Sequence, residues 1–428
     1  MSLNPSSRLP YGASPPDSWN VIPLKYLVRL SNGFVFKSET WTETGTPILR
    51  IENLNGSDNF NYSQADPGER YHVTQGDLLF SWSGNPGTSF GPFRWNKSGR
   101  HFLNQHIFKV SVHGCDADWL YWALKAATHW IERELTSGMI GMVHVTKDEL
   151  GMTPIPIPPL EEQRRIAAFL DAELNHTNSL ARRRSRQIQL LDLRLSSWLT
   201  EIQHKLIDEF GRVRLRHLIQ SIEQGWSPQC EDRPTADGEW GVVKAGCVNS
   251  GTFDRSQHKA LPSHITPRLD YRLRSGDILV SRASGSPDLI GSTAVVEDES
   301  TNLLLCDKIY RLKIDNNRTA PWFIAFMLRS HPVREHIKNG ISGADGMANN
   351  LPTSAVKDCI IPNAPLSKQR EAVKEIVAAQ AATKSARSAL VRADQFLRQR
   401  HQALITAAVT GQFDVSTGGR GVAEGVSS

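Results

Sequence analysis

The side chains in this sequence that could do chemistry are polar groups suited to hydrogen bonding, and they recur at matched positions about two hundred residues apart. Arginine and lysine suit guanine and asparagine suits adenine, because their donors and acceptors match those base edges. The matched pairs are Arg50 with Lys244, Ser81 with Ser281, Trp82 with Arg282, and His106 with Lys308. Glycine-rich loops add three further candidate DNA contacts, which are His144, Asn349 and Asn350. Strand-edge charges and turn-closing serines explain the same pattern without DNA.

Catalytic signatures are missing from the sequence. There is no Asn-Pro-Pro-[Tyr/Phe] loop of the kind that holds a target amine, and "GNPGT" at 84–88 is better explained as a turn. No phosphate-binding G-x-x-x-x-G-K-[S/T] loop occurs. A nuclease needs clustered carboxylates with a lysine, and "EWGVVK" at 239–244 is too weak a match. We therefore expect no catalytic residue and no enzymatic activity in this chain.

Histidine and cysteine spacing argues against a metal site. The 14 histidines include no H-E-x-x-H pattern, and the five cysteines are scattered without a C-x-x-C pair. No apolar stretch approaches the roughly 18 residues that a membrane span needs, and the N-terminal residues lack the features of an export signal. We expect a cytoplasmic protein with no bound metal and no membrane contact.

A long internal repeat organises the chain. "YHVTQGDLLFS" (71–81) matches "YRLRSGDILVS" (271–281), and "LKYLVRLSNG" (24–33) matches "LRHLIQSIEQG" (215–225). Pro-Leu-x-x-Gln-Arg occurs at both 159–164 and 365–370. The offset between matched positions grows steadily, from 191 residues at Leu24 and Leu215 to 206 at Gln163 and Gln369. Small loop insertions in a duplicated domain produce such a drift, so two whole domains follow one another.

Each copy has the pattern of a mixed α+β domain. Gly-Asp turns precede short apolar runs, and "HIFKVSV" and "KIYRLKI" alternate apolar with polar residues, as half-buried strands do. An amphipathic helix follows, near 117–135 and 320–338, and then a glycine-rich loop and a last strand. The fold class we predict is α+β: two similar target-binding domains separated by two long antiparallel coiled-coil helices, with pseudo-twofold symmetry.

Two long helices follow these domains. Apolar residues three, four or seven positions apart predict coiled-coil seams after Leu160 and after Pro365. Pro159 and Pro365 suit a first helical turn because their missing N–H has no partner there. A helix of this length would span roughly 70 Å at 1.5 Å per residue. The predicted segments are a flexible start at 1–18, a first domain at 19–158, a first spacer helix at 159–210, a second domain at 211–364, a second spacer helix at 365–411 and a flexible tail at 412–428.

Charge is distributed unevenly. Residues 1–159 carry 13 basic and 14 acidic side chains, and residues 207–364 carry 19 of each. Residues 160–206 carry 8 basic against 6 acidic, and residues 365–428 carry 9 against 5. The domains therefore do not bind a partner through bulk charge, and the net charge of +5 arises in the helices and the tail.

The repeated Pro-Leu-x-x-Gln-Arg helix entry, the paired Gly-Asp-[Leu/Ile]-Leu strands and the ending "LITAAVTGQFDV" (404–415) resemble the specificity subunit of a type I restriction-modification system. The resemblance runs from about Trp19 to Val415. It implies that each domain reads one half of a split site in double-stranded DNA, while the helices set the spacing and dock two methyltransferase subunits. It implies no cofactor in this chain, S-adenosylmethionine in the methyltransferases, and ATP and Mg in restriction and translocase subunits.

One departure from the family pattern concerns the first long helix, which ends in "HKLIDEFG" without a clear copy of "TAAVTGQFD". The residues that we expect to dock partner subunits are Gln163, Arg164, Arg183, Gln369 and Arg370. The run "RRRSR" at 182–186 also fits a solvated helix face or contact with DNA phosphates. Two other functions stay open: a self-contained DNA methyltransferase or nuclease, and a coiled-coil scaffold that does not bind DNA.

Overall fold

The computed structural model describes residues 9–11, 14–134, 142–297, 302–342 and 349–415. The chain divides into two compact units. The first comprises residues 1–184 and 392–428, and the second comprises residues 185–391. Each unit therefore contains one mixed α/β domain together with parts of both long helices. This arrangement of elements confirms the predicted α+β class.

The domain of the first unit contains short strands and three helices before the first long helix. Its strands are β1 (Asn20–Pro23), β2 (Val28–Asn32), β3 (Thr46–Leu49), β4 (Asn61–Ser63), β5 (His72–Val73), β6 (Leu78–Ser81), β7 (Ser83–Gly84), β8 (Gly91–Arg94), β9 (His101–Leu103), β10 (Ile107–Val112), β11 (Val143–His144) and β12 (Pro154–Ile157). Its helices are α1 (Ile51–Leu54), α2 (Ala117–Glu134), α3 (Lys147–Gly151) and the start of α4 (Leu160–Phe210).

The domain of the second unit follows the same plan. Its strands are β13 (Arg212–Arg214), β14 (Ile219–Gln224), β15 (Gly241–Val243), β16 (His258–Ala260), β17 (Ile278–Ser281), β18 (Ala283–Ser284), β19 (Thr293–Val295), β20 (Leu303–Leu304), β21 (Ile309–Ile314), β22 (Asn349–Asn350) and β23 (Ile360–Pro362). Its helices are α5 (Pro321–Leu328), α6 (His331–Asn339), α7 (Thr353–Lys357) and the start of α8 (Leu366–Val409).

The strand order shows that the two domains share one topology. A four-stranded sheet runs β2-β10-β6-β8 in the first and β14-β21-β17-β19 in the second. The pairs β1-β12 and β13-β23 correspond, as do β7-β11 and β18-β22. A second sheet, with the parallel pair β3 and β9, matches the parallel pair β15 and β20. The sequence repeat is thus a repeat of the fold.

The repeated Gly-Asp stretch makes the same turn in both domains. Gly76 and Gly276 have positive φ angles of 94° and 87°, which glycine adopts at little cost. The carboxylate of Asp77 accepts a 2.8 Å hydrogen bond from the backbone N–H of Thr74, and Asp277 accepts one of 2.8 Å from Arg274. The turn aims the following strand, β6 or β17, into the core, where every residue of that strand is buried.

The helix that packs on this sheet differs between the copies. In the first domain α2 is a single helix of 18 residues, in agreement with the sequence pattern. The single helix predicted near 320–338 is wrong, because the chain forms α5 and α6 with a break at Arg329 and Ser330. Pro332 lies in the first turn of α6, where its missing N–H costs no helical hydrogen bond. The proline therefore starts a new helix.

Aromatic residues of α2 belong to the core of the first domain. Trp119 and Trp122 are 0% and 1% exposed. Their neighbours in the cluster include Leu24, Phe80 and Leu170. Burial confirms that these tryptophans are core residues rather than stacking platforms.

The two predicted long helices are confirmed as α4 (Leu160–Phe210) and α8 (Leu366–Val409). In the first unit Phe169 stacks on Phe413 at 5.5 Å, and the guanidinium of Arg184 donates to the carbonyl of Ala393 at 3.2 Å. In the second unit Asp192 and Arg387 form a 3.6 Å ion pair. From the first contact to the second, the residue number rises along α4 and falls along the C-terminal segment that contains α8. The two helices are therefore antiparallel within the first unit. In the second unit, the end of α4 and the start of α8 share one apolar core.

Both long helices end in the same way. Gly211 and Gly411 directly follow the last turns, with positive φ angles of 77° and 74°. At the end of α8, Ile405, Ala408 and Val409 enter the core of the first unit. At the end of α4, Leu199, Ile202 and Leu206 enter the core of the second. The two endings differ in sequence, yet each is buried against a domain.

None of the helices in the described residues is long and apolar enough to cross a membrane.

Candidate nucleic-acid interface

In the first domain, an aromatic cluster forms where β6 ends. The ring of Trp82 meets His144 edge-on at 4.7 Å and lies 5.3 Å from His106. The indole N–H donates to the carbonyl of Gln105 at 2.9 Å. The antiparallel pair of β7 and β11 sets His144 opposite Ser83 and thereby places its ring against the indole. Strand β6, this strand pair and the turn before β10 therefore bring together three of the candidate residues.

The electrostatics of this cluster favour a neutral His106 ring. Burial, and then the charges of His144 and Arg50, lower the pKa of His106 below its usual range. Its Nε2 lies 3.1 Å from the side-chain amide of Gln105, while its buried Nδ1 has no hydrogen-bond partner among the described residues. His144 is exposed. A neutral His106 ring beside the partly exposed Trp82 and the exposed His144 suits base stacking more than charge attraction.

Arg50 lies near this cluster but is already well partnered. Its guanidinium donates to Asn61 at 2.7 Å, pairs with Glu52 at 3.2 Å and lies 5.0 Å from the ring centroid of Trp41. Its side chain is 35% exposed. A base contact by Arg50 would have to replace part of this network.

The second domain places charged and amide groups at the same point of the fold. Arg282 directly follows β17, as Trp82 follows β6, and its guanidinium donates to the carbonyl of Asp307 at 3.1 Å. The backbone N–H of Arg282 donates to the carbonyl of the exposed Lys308 at 2.9 Å. The pairing of β18 with β22 sets Asn350 opposite Ala283 and Asn349 opposite Ser284. The structure thus brings Arg282, Lys308, Asn349 and Asn350 together.

Lys244 lies at a separate place in the second domain. Its ammonium pairs with Asp232 at 3.4 Å, and Lys259 shares that carboxylate at 3.3 Å. None of the contacts found for the described residues joins Lys244 to the Arg282 cluster. The sequence match between Arg50 and Lys244 therefore does not extend to their surroundings.

Ser81 and Ser281 require a correction. They are 0% and 1% exposed, since each is the last residue of a strand that lies inside its sheet. The hydroxyl of Ser81 donates to the carbonyl of Ser83 at 3.0 Å. DNA cannot reach either side chain in this structure, so the reading as turn-closing residues fits better.

The docking candidates divide into buried and exposed groups. Gln163 and Gln369 are 3% and 2% exposed. Gln163 donates to the carbonyl of Pro158 and accepts from the backbone N–H of Asp116, both at 2.8 Å. This interior position corrects the expectation that the glutamines face a partner. The exposed candidates are Arg164, Arg183 and Arg370.

The same glutamine contact recurs in the second copy. Gln369 donates to the carbonyl of Ala364 at 2.8 Å and accepts from the backbone N–H of Ala320 at 2.9 Å. Each glutamine therefore clamps the start of a long helix to the loop before α2 or α5. This clamp explains why the Pro-Leu-x-x-Gln-Arg stretch occurs twice.

Sequence reasoning missed an aromatic residue beside a glycine in each domain. Gly33 and Gly225 lie so close to backbone carbonyls of Asn104 and Leu305 that a Cβ would overlap them. Phe34 follows the first glycine, is 38% exposed and lies 5.3 Å from Tyr71. Trp226 follows the second, with the Arg268 guanidinium 4.9 Å away. The signal was available, because both matched stretches end in a glycine followed by an aromatic residue.

Comparison with known proteins shows which proteins this chain is similar to. Residues 16–190 match the type I restriction modification DNA specificity domain. The EcoBI specificity subunit of a type I restriction enzyme from Escherichia coli is 25% identical over 390 residues, which cover 84% of this chain and 79% of that protein. The first part of the chain therefore carries a type I specificity domain, and the chain is similar to a type I specificity subunit over most of its length.

Further comparisons agree with this assignment. The Escherichia coli EcoEI specificity subunit is 27% identical over 164 residues, so the match spans 38% of this chain and only 27% of that protein. A chain from a solved structure concerned with complex assembly and conformational transition of the type I R-M system has a TM-score of 0.67. At 18% identity, with 93% of this chain and 99% of that chain covered, it shows a shared fold.

No group of residues suited to hold a metal ion occurs in the described parts of the chain.

Proposed function

We propose that each domain of this specificity subunit reads one half of a split DNA site, through the cluster at the end of β6 in the first domain and of β17 in the second. One observation carries the proposal. The same point of a repeated fold holds Trp82, His106 and His144 in one domain but Arg282, Lys308 and two asparagines in the other. A shared scaffold with different polar side chains is what two readers of different half-sites require.

The long helices carry the second part of the proposal, which is spacing and assembly. Helix α4 is continuous over 51 residues, or ~76 Å at 1.5 Å per residue. Exposed side chains on it that suit partner contact include Arg183, Leu190 and Leu193. Two methyltransferase subunits bind the helices, and restriction and translocase subunits join the complex. In this proposal S-adenosylmethionine, ATP and Mg belong to the partners, and the chain itself has no catalytic role.

Mapping methylated adenines tests the recognition proposal. The chain is co-expressed with its neighbouring methyltransferase, and modified sites are read across the genome. We expect a two-part motif. Trp82→Ala and His144→Ala should relax only one half of it, whereas Arg282→Gln should relax only the other, because each side chain serves one domain.

Arg318→Gln serves as the matched control, since it removes an exposed charge of the second domain away from the cluster. An unsplit motif, or variants that change both halves together, would contradict the proposal. Incubation of the purified chain with S-adenosylmethionine or magnesium tests the rival enzyme function. Methylation or cleavage by the chain alone would show that it is catalytic.

A further inference from the structure

The second domain contains a cavity of about 210 Å³ that two arginines share. Arg329 follows α5, and Arg334 lies on α6. Residues of the segments 248–251 and 288–293 form the other walls. The hydroxyls of Ser250 and Thr293 already donate to the backbone carbonyls of Thr252 and Gly291, so the guanidinium groups are the main donors for the oxygens of an anion.

Two glycines make room for the guanidinium groups. Gly251 has a φ of 78°, and a Cβ there would lie 2.5 Å from Cζ of Arg329. Gly291 has a φ of 76°, and a Cβ there would lie 2.6 Å from Nη1 of Arg334. Each arginine thus packs against a backbone position that has a positive φ and no room for a Cβ, which glycine allows at little cost. These two positions leave space for the guanidinium groups in the cavity.

The charge of Arg329 is not balanced within the described part of the chain. Its guanidinium donates to the carbonyl of Gly251 at 3.2 Å and lies 5.8 Å from the ring of Phe326, and the described residues give it no carboxylate partner. Burial lowers its pKa, yet an arginine stays protonated near neutral pH. A partly buried cation with spare donors is stabilised when an anion enters beside it.

Arg334 is held in place by backbone acceptors. It donates to the carbonyls of Ile290 at 2.7 Å and Asp288 at 2.9 Å. The carboxylate of Asp288 also lines the cavity, but it is 81% exposed and pairs with Lys338 at 3.0 Å. Asp288 therefore acts on both Lys338 and Arg334, whereas Arg329 brings a positive charge to the cavity without a carboxylate partner among the described residues.

The first domain has a different arrangement at this point. Gly91 occupies the place of Gly291, because it pairs with Ser81 as Gly291 bonds to Ser281. A Cβ at Gly91 would meet the methyl group of Thr128 at 2.9 Å rather than a guanidinium. Helix α2 passes through this region unbroken. The break between α5 and α6 is what allows the arginine pair in the second domain.

We propose that the Arg329–Arg334 cavity binds a phosphate group, which is either a backbone phosphodiester of bound DNA or free inorganic phosphate. A tetrahedral group with a bidentate hydrogen-bonding edge matches the fork of a guanidinium. The DNA source rests on the proposed function, whereas binding of free phosphate does not depend on it.

Calorimetric titration of the full chain with inorganic phosphate tests the site directly. Wild type should bind one phosphate, and Arg329→Gln should weaken that binding by about tenfold or more, since a charged hydrogen bond is lost. Arg334→Gln should weaken it as well, while Arg329→Lys should lie between because it keeps the charge. Arg318→Gln is the control of equal charge loss. Circular dichroism shows whether each variant is folded, and phosphate binding that is equal in all folded variants would overturn the inference.

Binding of specific DNA at several salt concentrations separates the two sources. If the occupant is a DNA phosphate, Arg329→Gln should lower the slope of log K against log salt by ~0.9, as expected for one lost phosphate contact. Wild type should then lose phosphate binding in the presence of duplex. If the free anion is the occupant, the slope stays unchanged and phosphate still binds beside DNA. A chain that binds phosphate but no DNA would refute the proposed function and leave this site intact.

Discussion

At the residue scale, the glutamine clamp gives a direct prediction. Gln163→Ala and Gln369→Ala should each lower the free energy of unfolding by ~1–3 kcal/mol, because a buried backbone N–H and a carbonyl lose their partner. Chemical denaturation followed by circular dichroism measures the change. Arg164→Ala is the matched control, as its side chain is 57% exposed and its nearest ion pair lies on its own helix surface. Unchanged stability with lost methylation in cells would instead point to partner docking by the glutamines.

A buried charge network distinguishes the two copies of the central strand. Arg311 on β21 is 3% exposed and donates to Glu223 and to the carbonyls of Arg272 and Asp270, at 2.5–2.9 Å. The matching residue of the first domain, Lys109, pairs with Asp77 at 2.8 Å, and its side chain is 25% exposed. The same strand position thus carries a cation of different burial in each domain.

Removal of these two cations should have unequal effects. Arg311→Met should destabilise the protein by ~3–5 kcal/mol, because the largely buried Asp277 and two backbone carbonyls lose their partner, while Glu223 keeps only Lys313. Lys109→Met should cost roughly 1 kcal/mol, since solvent screens that pair. Denaturant titration of both variants measures the two losses. Equal losses would show that burial does not set the strength of these pairs.

At the element scale, the sequence predicted the elements whose apolar residues recur with a clear helical or strand period, and it missed the elements that are too short to show one. Both long helices have seams and proline starts, and the structure contains them as α4 (Leu160–Phe210) and α8 (Leu366–Val409). The strand pairs β7-β11 and β18-β22 consist of two-residue strands, which cannot show an alternating pattern. They nevertheless bring His144 and Asn350 to the candidate interface. The sequence also did not show that Ser81, Gln163 and Gln369 are buried, because contacts between residues distant in sequence decide their burial.

The Gly211 and Gly411 endings resolve the apparent mismatch between the two helix tails. "HKLIDEFG" and "TAAVTGQFD" have little sequence in common, but each contains a glycine at positive φ, Gly211 in the first and Gly411 in the second. What the endings share is apolar residues that face a domain core, and that requirement leaves the other positions free. A search for matching letters therefore underestimates the repeat at these places.

Helix length gives the prediction at this scale. Insertion of seven residues after Ser185 in α4, with seven before Arg392 in α8, adds two turns or ~10 Å to each helix and keeps the heptad phase. The spacing in the methylated motif should grow by about three base pairs at ~3.4 Å each, while both half-sites stay the same. The control is an insertion of seven residues into α4 alone, because α8 then no longer matches α4 in length. A changed half-site with constant spacing would contradict a ruler function.

At the scale of the whole molecule, duplication explains both the likeness and the difference of the domains. Shared topology preserves what folding needs, such as the Gly-Asp turn and the glutamine clamp. At the ends of β6 and β17 the repeated backbone hydrogen bonds are kept, whereas the side chains of Trp82 and Arg282 differ. The sequence predicted the scaffold better than the side-chain contacts, because the scaffold is repeated and these contacts are not.

Charge distribution gives the last prediction. Residues 1–159 and 207–364 are nearly neutral, with 13 basic against 14 acidic and 19 against 19 side chains. Few phosphates are therefore neutralised by the domains alone, and the slope of log K against log salt should be shallow for the isolated chain. The complex with methyltransferase should bind the same duplex more tightly and with a steeper slope, because the partners add phosphate contacts. Fluorescence anisotropy at several salt concentrations, with an unrelated duplex as control, measures both slopes. Equal slopes would mean that this chain alone supplies the contacts to the DNA backbone. The proposed division, in which this chain reads the bases and its partners contact the phosphates, would then be wrong.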